Sequence, residues 1–276
     1  MTMHPFDADP PSPRVRLIGL DLRAEASGAW NMAADEWLLI RAVEAGEAAL
    51  RFYVWDRPTV SLGHFQNAAD IPAELSTLPA VRRLSGGGAI IHDRELTYSL
   101  ALPVSHPLCG NPRQIYELAH LVIQEGLAQL GADVQLRGQT NSELAERYLC
   151  FGRGDSFDLV VSTATQPPFA EQVGPWKVVG SAQRRRKGAV LQHGSILLAT
   201  SSQAPDFPGL RELLGGEIAA DRLAEVIMQP FHSRLVDGGG GAVVPELFRP
   251  DEIEVISQLR SNWVLTPLIE PAQSKP

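Results

Sequence analysis

The stretch LCFGRGDSFDLVV, residues 149–161, sets a thiol, Cys150, among glycines and polar side chains where a strand-like run begins. A cysteine so placed can be a nucleophile that carries an acyl group, or a small apolar residue packed in the core, the commoner fate of a free thiol. A second stretch, VRRLSGGGAIIHDRELTYSLALP at 81–103, is the densest signal in the chain. Three successive glycines, Gly86, Gly87 and Gly88, are costly to order, so their place between two strands marks a tight turn or a close approach by another group. Arg82 and Arg83 just before them either hold a carboxylate or phosphate through their fork geometry or are simply one solvated and one paired arginine. The block is not a Walker phosphate loop, because no Gly-Lys-Ser/Thr follows and the next element is a strand. His92 and Asp93 are adjacent, and neighbours on a strand point to opposite faces, which argues against a direct base–carboxylate pair. His193, flanked by apolar positions in LQHGSILL, reads as a half-buried, satisfied histidine more readily than as a base.

Bulk properties narrow the function classes. The 24 Lys and Arg against 32 Asp and Glu give a formal charge of -8, which argues against a nucleic-acid binder. An acidic partner would have to meet a local basic patch, and Arg184, Arg185, Arg186 and Lys187 are the one strong candidate. Cys109 and Cys150 are the only two cysteines, so there is no disulfide framework, and no histidine is spaced to complete a zinc site. Cys109, in HPLCGNPR, reads as incidental. The first fourteen residues lack a basic region followed by an apolar run, and no stretch has the length of a membrane span, so the expectation is a cytoplasmic protein that meets neither membrane nor nucleic acid.

Elements that could position these groups follow from spacing. WNMAADEWLLIRAVEAGE has helical periodicity, with Asn31 as a cap, and NPRQIYELAHLVIQEGLAQLG is a helix capped by Asn111, opened by Pro112 and stopped by Gly131. Two β-rich runs around Asp56-Arg57-Pro58 suggest a hairpin. So do the runs on either side of the basic turn Arg184 to Gly188. Helical stretches are expected near 208–228 and at 250–261. The alternation predicts an α/β fold of the α+β kind, mixed sheets with packed helices. Its expected layout is a loose tail at 1–14, a catalytic unit at 15–241 and a C-terminal helical appendage at 242–276.

The blocks RRLSGGGAIIHDRELTYSLALP, KVVGSAQRRRKGAVLQHGSILL, WNMAADEWLL and RFYVWDRPTVSLGHFQN occur in the order and at the separations of the lipoate-protein ligase and octanoyltransferase family, which the chain resembles over roughly residues 15–200. CFGRGDSFDLVV ahead of KVVGSAQ resembles the cysteine-dependent octanoyltransferases of the LipM kind. The resemblance implies a fold shared with biotin protein ligases. It also implies transfer of octanoyl from acyl carrier protein to a lysine of a lipoyl-accepting protein, such as a lipoyl domain or the glycine cleavage H protein. Cys150 would then be the acyl acceptor and Lys177 the lysine that acts on its thiol. Arg83, Ser85, Gly86, Gly87, Gly88, His92, Gly180, Ser181, Ala182, His193 and Gly194 would bind substrate, and Arg184 to Lys187 would dock the acidic carrier. The connection STATQPPFAEQVGPW is longer than the link expected between the family blocks, which would reshape the mouth of the site.

Chemistry weighs the role of Lys177. A cation that brings a thiol from a pKa of about 8.5 to roughly 7 raises the thiolate fraction about fifteenfold. Lower basicity costs roughly fivefold in nucleophilicity, leaving a gain of about threefold. Holding the carbonyl oxygen is the larger contribution, since one such donor can be worth about 10²- to 10³-fold. No cofactor is needed for a thioester-to-amide transfer. ATP and magnesium enter only under the alternative of a lipoate-protein ligase, in which Cys150 would be idle. An octanoyl-protein amidotransferase and a non-catalytic lipoyl-domain binder are the remaining readings.

Overall fold

The computed structural model describes residues 15–21, 27–138, 149, 154–172, 174–236 and 244–265. Its strands are β1 (Val15–Asp21), β2 (Ala48–Tyr53), β3 (Thr59–Leu62), β4 (Ala80–Arg82), β5 (Ile90–His92), β6 (Glu95–Leu102), β7 (Gln135–Leu136), β8 (Leu159–Val161), β9 (Trp176–Arg186), β10 (Ala189–Leu197) and β11 (Val264–Leu265). The helices are α1 (Gly28–Glu44), α2 (Pro112–Gln129), α3 (Leu210–Leu214), α4 (Ala220–Leu235) and α5 (Pro250–Leu259). Seven strands form one mixed sheet in the order β1-β2-β6-β10-β9-β8-β7, and four form a second, β11-β4-β3-β5. This is the mixed-sheet fold with packed helices that the alternation of elements predicts.

The strands β2, β6 and β10 lie side by side in the large sheet and alternate as the pleat requires. Leu50, Phe52, Leu96, Tyr98, Leu100, Val190 and Ile196 join an apolar cluster with Ile115, Val122, Ile123 and Leu127 of α2 and Leu223, Ile227 and Phe231 of α4. Each such side chain taken out of water contributes about 1.5–3 kcal/mol, which makes this face the main apolar body of the molecule. Ala49, Tyr53, Ala101 and Leu191 instead meet α1 through Trp30, Ala33, Ala34 and Leu38. Beyond α1, Phe248, Ile256 and Trp263 join the same cluster, and buried Glu252 of α5 accepts from Arg16 of β1 at 2.8 Å. β11 pairs with β4. Among the described residues, no helix is long and apolar enough to cross a membrane.

Three local expectations need correction. β2 and β3 are not a hairpin: both edges of β2 are taken by β1 and β6, so Asp56-Arg57-Pro58 carries the chain from the large sheet into the small one. α1 begins one turn earlier than expected, capped by Ser27, whose hydroxyl accepts from Trp30 N–H. Asn31 is buried inside the helix, where its oxygen accepts from Arg51 Nη2 at 2.7 Å. The stretch near 208–228 is two helices, α3 and α4, the first closed by Gly215 in the left-handed region at φ 78°. By contrast, β9 and β10 do form the expected hairpin. Its turn is only Lys187-Gly188, with φ 48° and 87°, the backbone such a two-residue turn demands.

Candidate active site

Between the two sheets lies a cavity of about 260 Å³. The small sheet and its glycine loop supply Arg83, Gly86, Gly87 and His92; β9 supplies Lys177, Gly180, Ser181 and Ala182; β10 supplies His193 and Gly194. Met32, Tyr53 and Trp55 complete an apolar wall. Ser85 and Gly88 stand behind the lining, where Ser85 meets His193 and the Gly88 carbonyl meets Arg83. Cys150 lies outside the described residues. Its neighbour in sequence, Leu149, bridges Ala89 at the end of the glycine block.

The glycine block is a backbone structure organised by one buried arginine. Arg83 Nη2 donates to the carbonyls of Gly86 and Gly88, each at 2.7 Å, while Nη1 donates to the carbonyl of Ser61 at 3.0 Å. Arg82 faces the other way and gathers the carbonyls of Gly63, His64 and Gln66. Neither arginine is an open anion site: both are spent on main chain.

Lys177 is nearly enclosed, its side chain 6% exposed, and Nζ lies 3.0 Å from Asp158 Oδ1. Burial raises the Asp158 pKa, against the pull of Lys177. Gly180 is what lets the lysine lie across the strand, because a Cβ there would fall 2.4 Å from Lys177 Cε. The β8–β9 register shifts between Leu159 and Val160, beside Lys177. Asp158 is a site residue that the sequence analysis missed, and SFDLVV gave it no special mark.

Histidines border the cavity in a recurring arrangement. His92 Nδ1 donates to Glu95 Oε1 at 2.7 Å, and Nε2 is 2.7 Å from Ser61 Oγ. Its ring stacks on Trp55 at 3.8 Å. Burial lowers the His92 pKa. Burial alone would raise that of Glu95, yet His92, with Thr97 and Ser195, holds it below the usual carboxylate range. Asp93 is not the partner of His92, as alternation along a strand requires; the carboxylate comes three residues later.

His193 Nδ1 is 3.1 Å from Asp35 Oδ2, and its Nε2 is 2.5 Å from Ser85 Oγ. On the opposite face of the sheet, His120 Nδ1 bonds the Phe157 carbonyl and Nε2 is 2.7 Å from Ser181 Oγ. Burial pushes the His120 pKa down to about 4. That contact continues a chain in which Gln183 donates to Gln192, Gln192 to Tyr98, and the Tyr98 and Ser181 oxygens are 2.7 Å apart. Asp35, Glu95 and His120 went unnoticed in the sequence because each sits within an apolar or helical run that reads as packing.

The basic cluster is less uniform than its sequence. Arg185 donates to the Cys109 carbonyl at 2.6 Å and Arg186 is 3.6 Å from Glu36, while Lys187 occupies the exposed turn. Cys109 is buried, and burial raises its thiol pKa. Among the described residues, no group of three or more His, Cys, Asp or Glu side chains is placed to hold a metal ion.

Residues 27–207 match the family described as the lipoyl protein ligase A/B catalytic domain. The chain is 31% identical to the octanoyltransferase LipM of Kyrpidia tusciae, over 87% of this chain and 93% of that one. It is 38% identical to the octanoyltransferase LipM of Brevibacillus brevis, over 62% of each. Its fold is similar to that of a putative lipoate protein ligase from T. acidophilum solved with lipoic acid, at a TM-score of 0.63 and 19% identity, covering 89% of this chain and 94% of that one. With the family match running from α1 through β10 and taking in every residue that lines the cavity, the chain belongs to the lipoyl protein ligase A/B catalytic-domain family.

Proposed function

We propose that the protein is an octanoyltransferase of lipoate assembly, taking octanoyl from acyl carrier protein onto Cys150 and passing it to a lysine of a lipoyl-accepting protein. The observation that carries this reading is the buried Lys177 on an apolar cavity whose glycine wall ends at Ala89, bridged by the residue that precedes Cys150. The named octanoyltransferase relatives support it.

In the first step the Cys150 thiolate attacks the acyl carbonyl, and the phosphopantetheine thiolate leaves and takes up a proton. In the second, the amine of the acceptor lysine attacks the enzyme thioester, the Cys150 thiolate leaves, and the amine loses its proton. Both steps pass through a tetrahedral oxyanion, which a cation fixed beside the carbonyl stabilises in a site closed to water. Lys177 takes that role, held by Asp158 rather than left to sample solvent. The thioester carries the driving force, so no ATP is required. A covalent intermediate also lets two large protein partners visit one cavity in turn. The lipoyl-accepting protein is a lipoyl domain or a glycine cleavage H protein. The turn around Lys187, with Arg184, Arg185 and Arg186, receives the acidic carrier.

Incubation with octanoyl-acyl carrier protein without ATP, followed by intact mass measurement, tests the reading. An octanoyl adduct that disappears in Cys150→Ser is expected. Adenylate formation from free lipoate and ATP, with no adduct from the carrier, would refute it, as would acylation only from an octanoylated protein donor.

A further inference from the structure

Asp35 takes no part in the steps above, yet it is fully buried on α1 and its carboxylate receives four donors. Oδ1 accepts from Ser99 Oγ at 2.7 Å and Arg51 Nη1 at 3.3 Å. Oδ2 accepts from Tyr53 OH at 3.2 Å and His193 Nδ1 at 3.1 Å. An ionised carboxylate offers about four acceptor sites, so all are in use. Arg51 pairs with Asp35 Oδ1, and is further held by Asn31 Oδ1, which accepts from Nη2 at 2.7 Å, and by the Tyr53 ring 4.0 Å below its guanidinium. Charge balance accounts for one of the four donors and leaves the Oδ2 contact with His193 to be explained.

For a neutral imidazole the carboxylate sets the direction of these bonds. A carboxylate only accepts, so the proton of a neutral His193 sits on Nδ1, Nε2 is an acceptor, and the Ser85 hydroxyl must donate to it. The Ser85 carbonyl is held separately by His64 N–H at 2.9 Å. Ser85 is thereby pinned at both ends, and the next residue opens the glycine loop. Within that loop Arg83 draws in the carbonyls of Gly86 and Gly88. In a trans peptide the C=O and the following N–H point in opposite directions, so the Gly87 N–H is turned away from Arg83, and Gly87 lines the cavity.

We propose that Asp35 is a positioning residue for acyl transfer: through His193 and Ser85 it holds the glycine loop so that the Gly87 N–H meets the acyl carbonyl opposite Lys177. The proposal rests on the transferase reading and adds to it the residue that sets the loop. Asp35→Asn presents an amide that donates to His193 Nδ1, moving the imidazole proton to Nε2 and turning the Ser85 hydroxyl away.

The test pairs a spectroscopic with a kinetic readout. In ¹⁵N-histidine NMR of the resting protein, with His193 assigned by its absence in His193→Gln, we expect the Nδ1–H tautomer in the natural protein and the Nε2–H tautomer in Asp35→Asn. In octanoyl transfer, Asp35→Asn should lower kcat on the order of 10²-fold, as a small displacement of a catalytic group does, with KM for the carrier within about twofold. In a Ser85→Ala background the same substitution should cost less than about twofold more, because the path is already cut. An Nε2–H tautomer in the natural protein, or losses that multiply, overturns the proposal. If Asp35→Asn does not fold, the cycle of His193→Gln with Ser85→Ala takes its place: non-multiplying losses support the relay and multiplying losses overturn it. The expected tautomers in a protein that transfers no octanoyl group support the Asp35–His193–Ser85 coupling and refute the transferase reading.

Discussion

The two faces of the seven-stranded sheet are built from the same strands and do different work. Facing α2 and α4, the inward side chains are Leu50, Phe52, Leu96, Leu100 and Val190, with a polar chain running from Gln183 to His120. Facing α1, the alternate positions of the same strands include Arg51, Thr97, Ser99, His193 and Ser195 among Ala49, Tyr53, Ala101 and Leu191, all buried, and α1 answers the polar ones with Asn31 and Asp35. One face stores stability in apolar area; the other spends it on closed polar units around a cavity. The comparison breaks most sharply at Lys177. Lys177→Met should lower octanoyl transfer per folded molecule about 10²- to 10³-fold, and an unchanged single-turnover rate would remove the lysine from the reaction.

On the apolar face the effects should be reversed. Phe231 is fully buried and meets Phe52 and Tyr98 edge-on or tilted, at 6.1 and 5.6 Å between ring centres. Phe231→Ala should cost about 3–5 kcal/mol in denaturant unfolding, with transfer per folded molecule unchanged. Arg51→Met, on the polar face, should cost a similar amount, about 3–5 kcal/mol, because it strips a buried pair of one partner, and it should also slow transfer. Equal losses of activity in both variants would erase the distinction between the faces.

This contrast also explains what was legible in the sequence. The apolar helix α2, its Pro112 start and Gly131 stop, the hairpin β9–β10 and the glycine block could be read because each depends on local spacing or backbone demand. The polar face could not, because period-two alternation in a strand such as ELTYSLAL reads as one wet and one dry side, whereas here both are buried. Asn31 and Asp35 are four residues apart on α1 and so share a face, which was the available signal. Local sequence instead marks Asn31 as a cap, since an asparagine at the edge of a helical run ordinarily is one. The hairpin expected around Pro58 failed for a related reason: turn chemistry is local, but the choice of strand partner depends on which edges are free.

His120 sharpens the comparison through pH, as the titratable group on the apolar face whose proton the fold excludes. An unfolded histidine binds a proton near pH 6.5 and the folded one only near 4, so between these values the unfolded chain holds more protons and folding stability falls as pH falls. The full loss from this group is on the order of 3 kcal/mol, reached near pH 4. His92, also lowered by burial, acts in the same sense, and Asp158, raised by burial, acts against it. His120→Gln keeps one donor and one acceptor but cannot titrate. Its stability should fall less steeply than that of the natural protein between pH 6.5 and 4, and identical slopes would show that His120 takes up its proton without cost.

The smallest expected effect lies at the far end of β9, beyond both faces. Arg185 and Arg186 are exposed but already engaged, one with the Cys109 carbonyl and one with Glu36, so reversing them disturbs the fold as well as the surface charge. Lys187→Glu is the cleaner probe, since the side chain stands on an exposed turn, though its φ of 48° makes Lys187→Asn the better neutral control. Surface charges act chiefly on encounter and are screened beyond about 10 Å at 0.1 M salt. Lys187→Glu should raise KM for octanoyl-acyl carrier protein a few-fold at low ionic strength, with kcat unchanged, and the difference should vanish as salt approaches 0.5 M. A KM that ignores both the substitution and the salt would move the carrier's docking surface away from this turn.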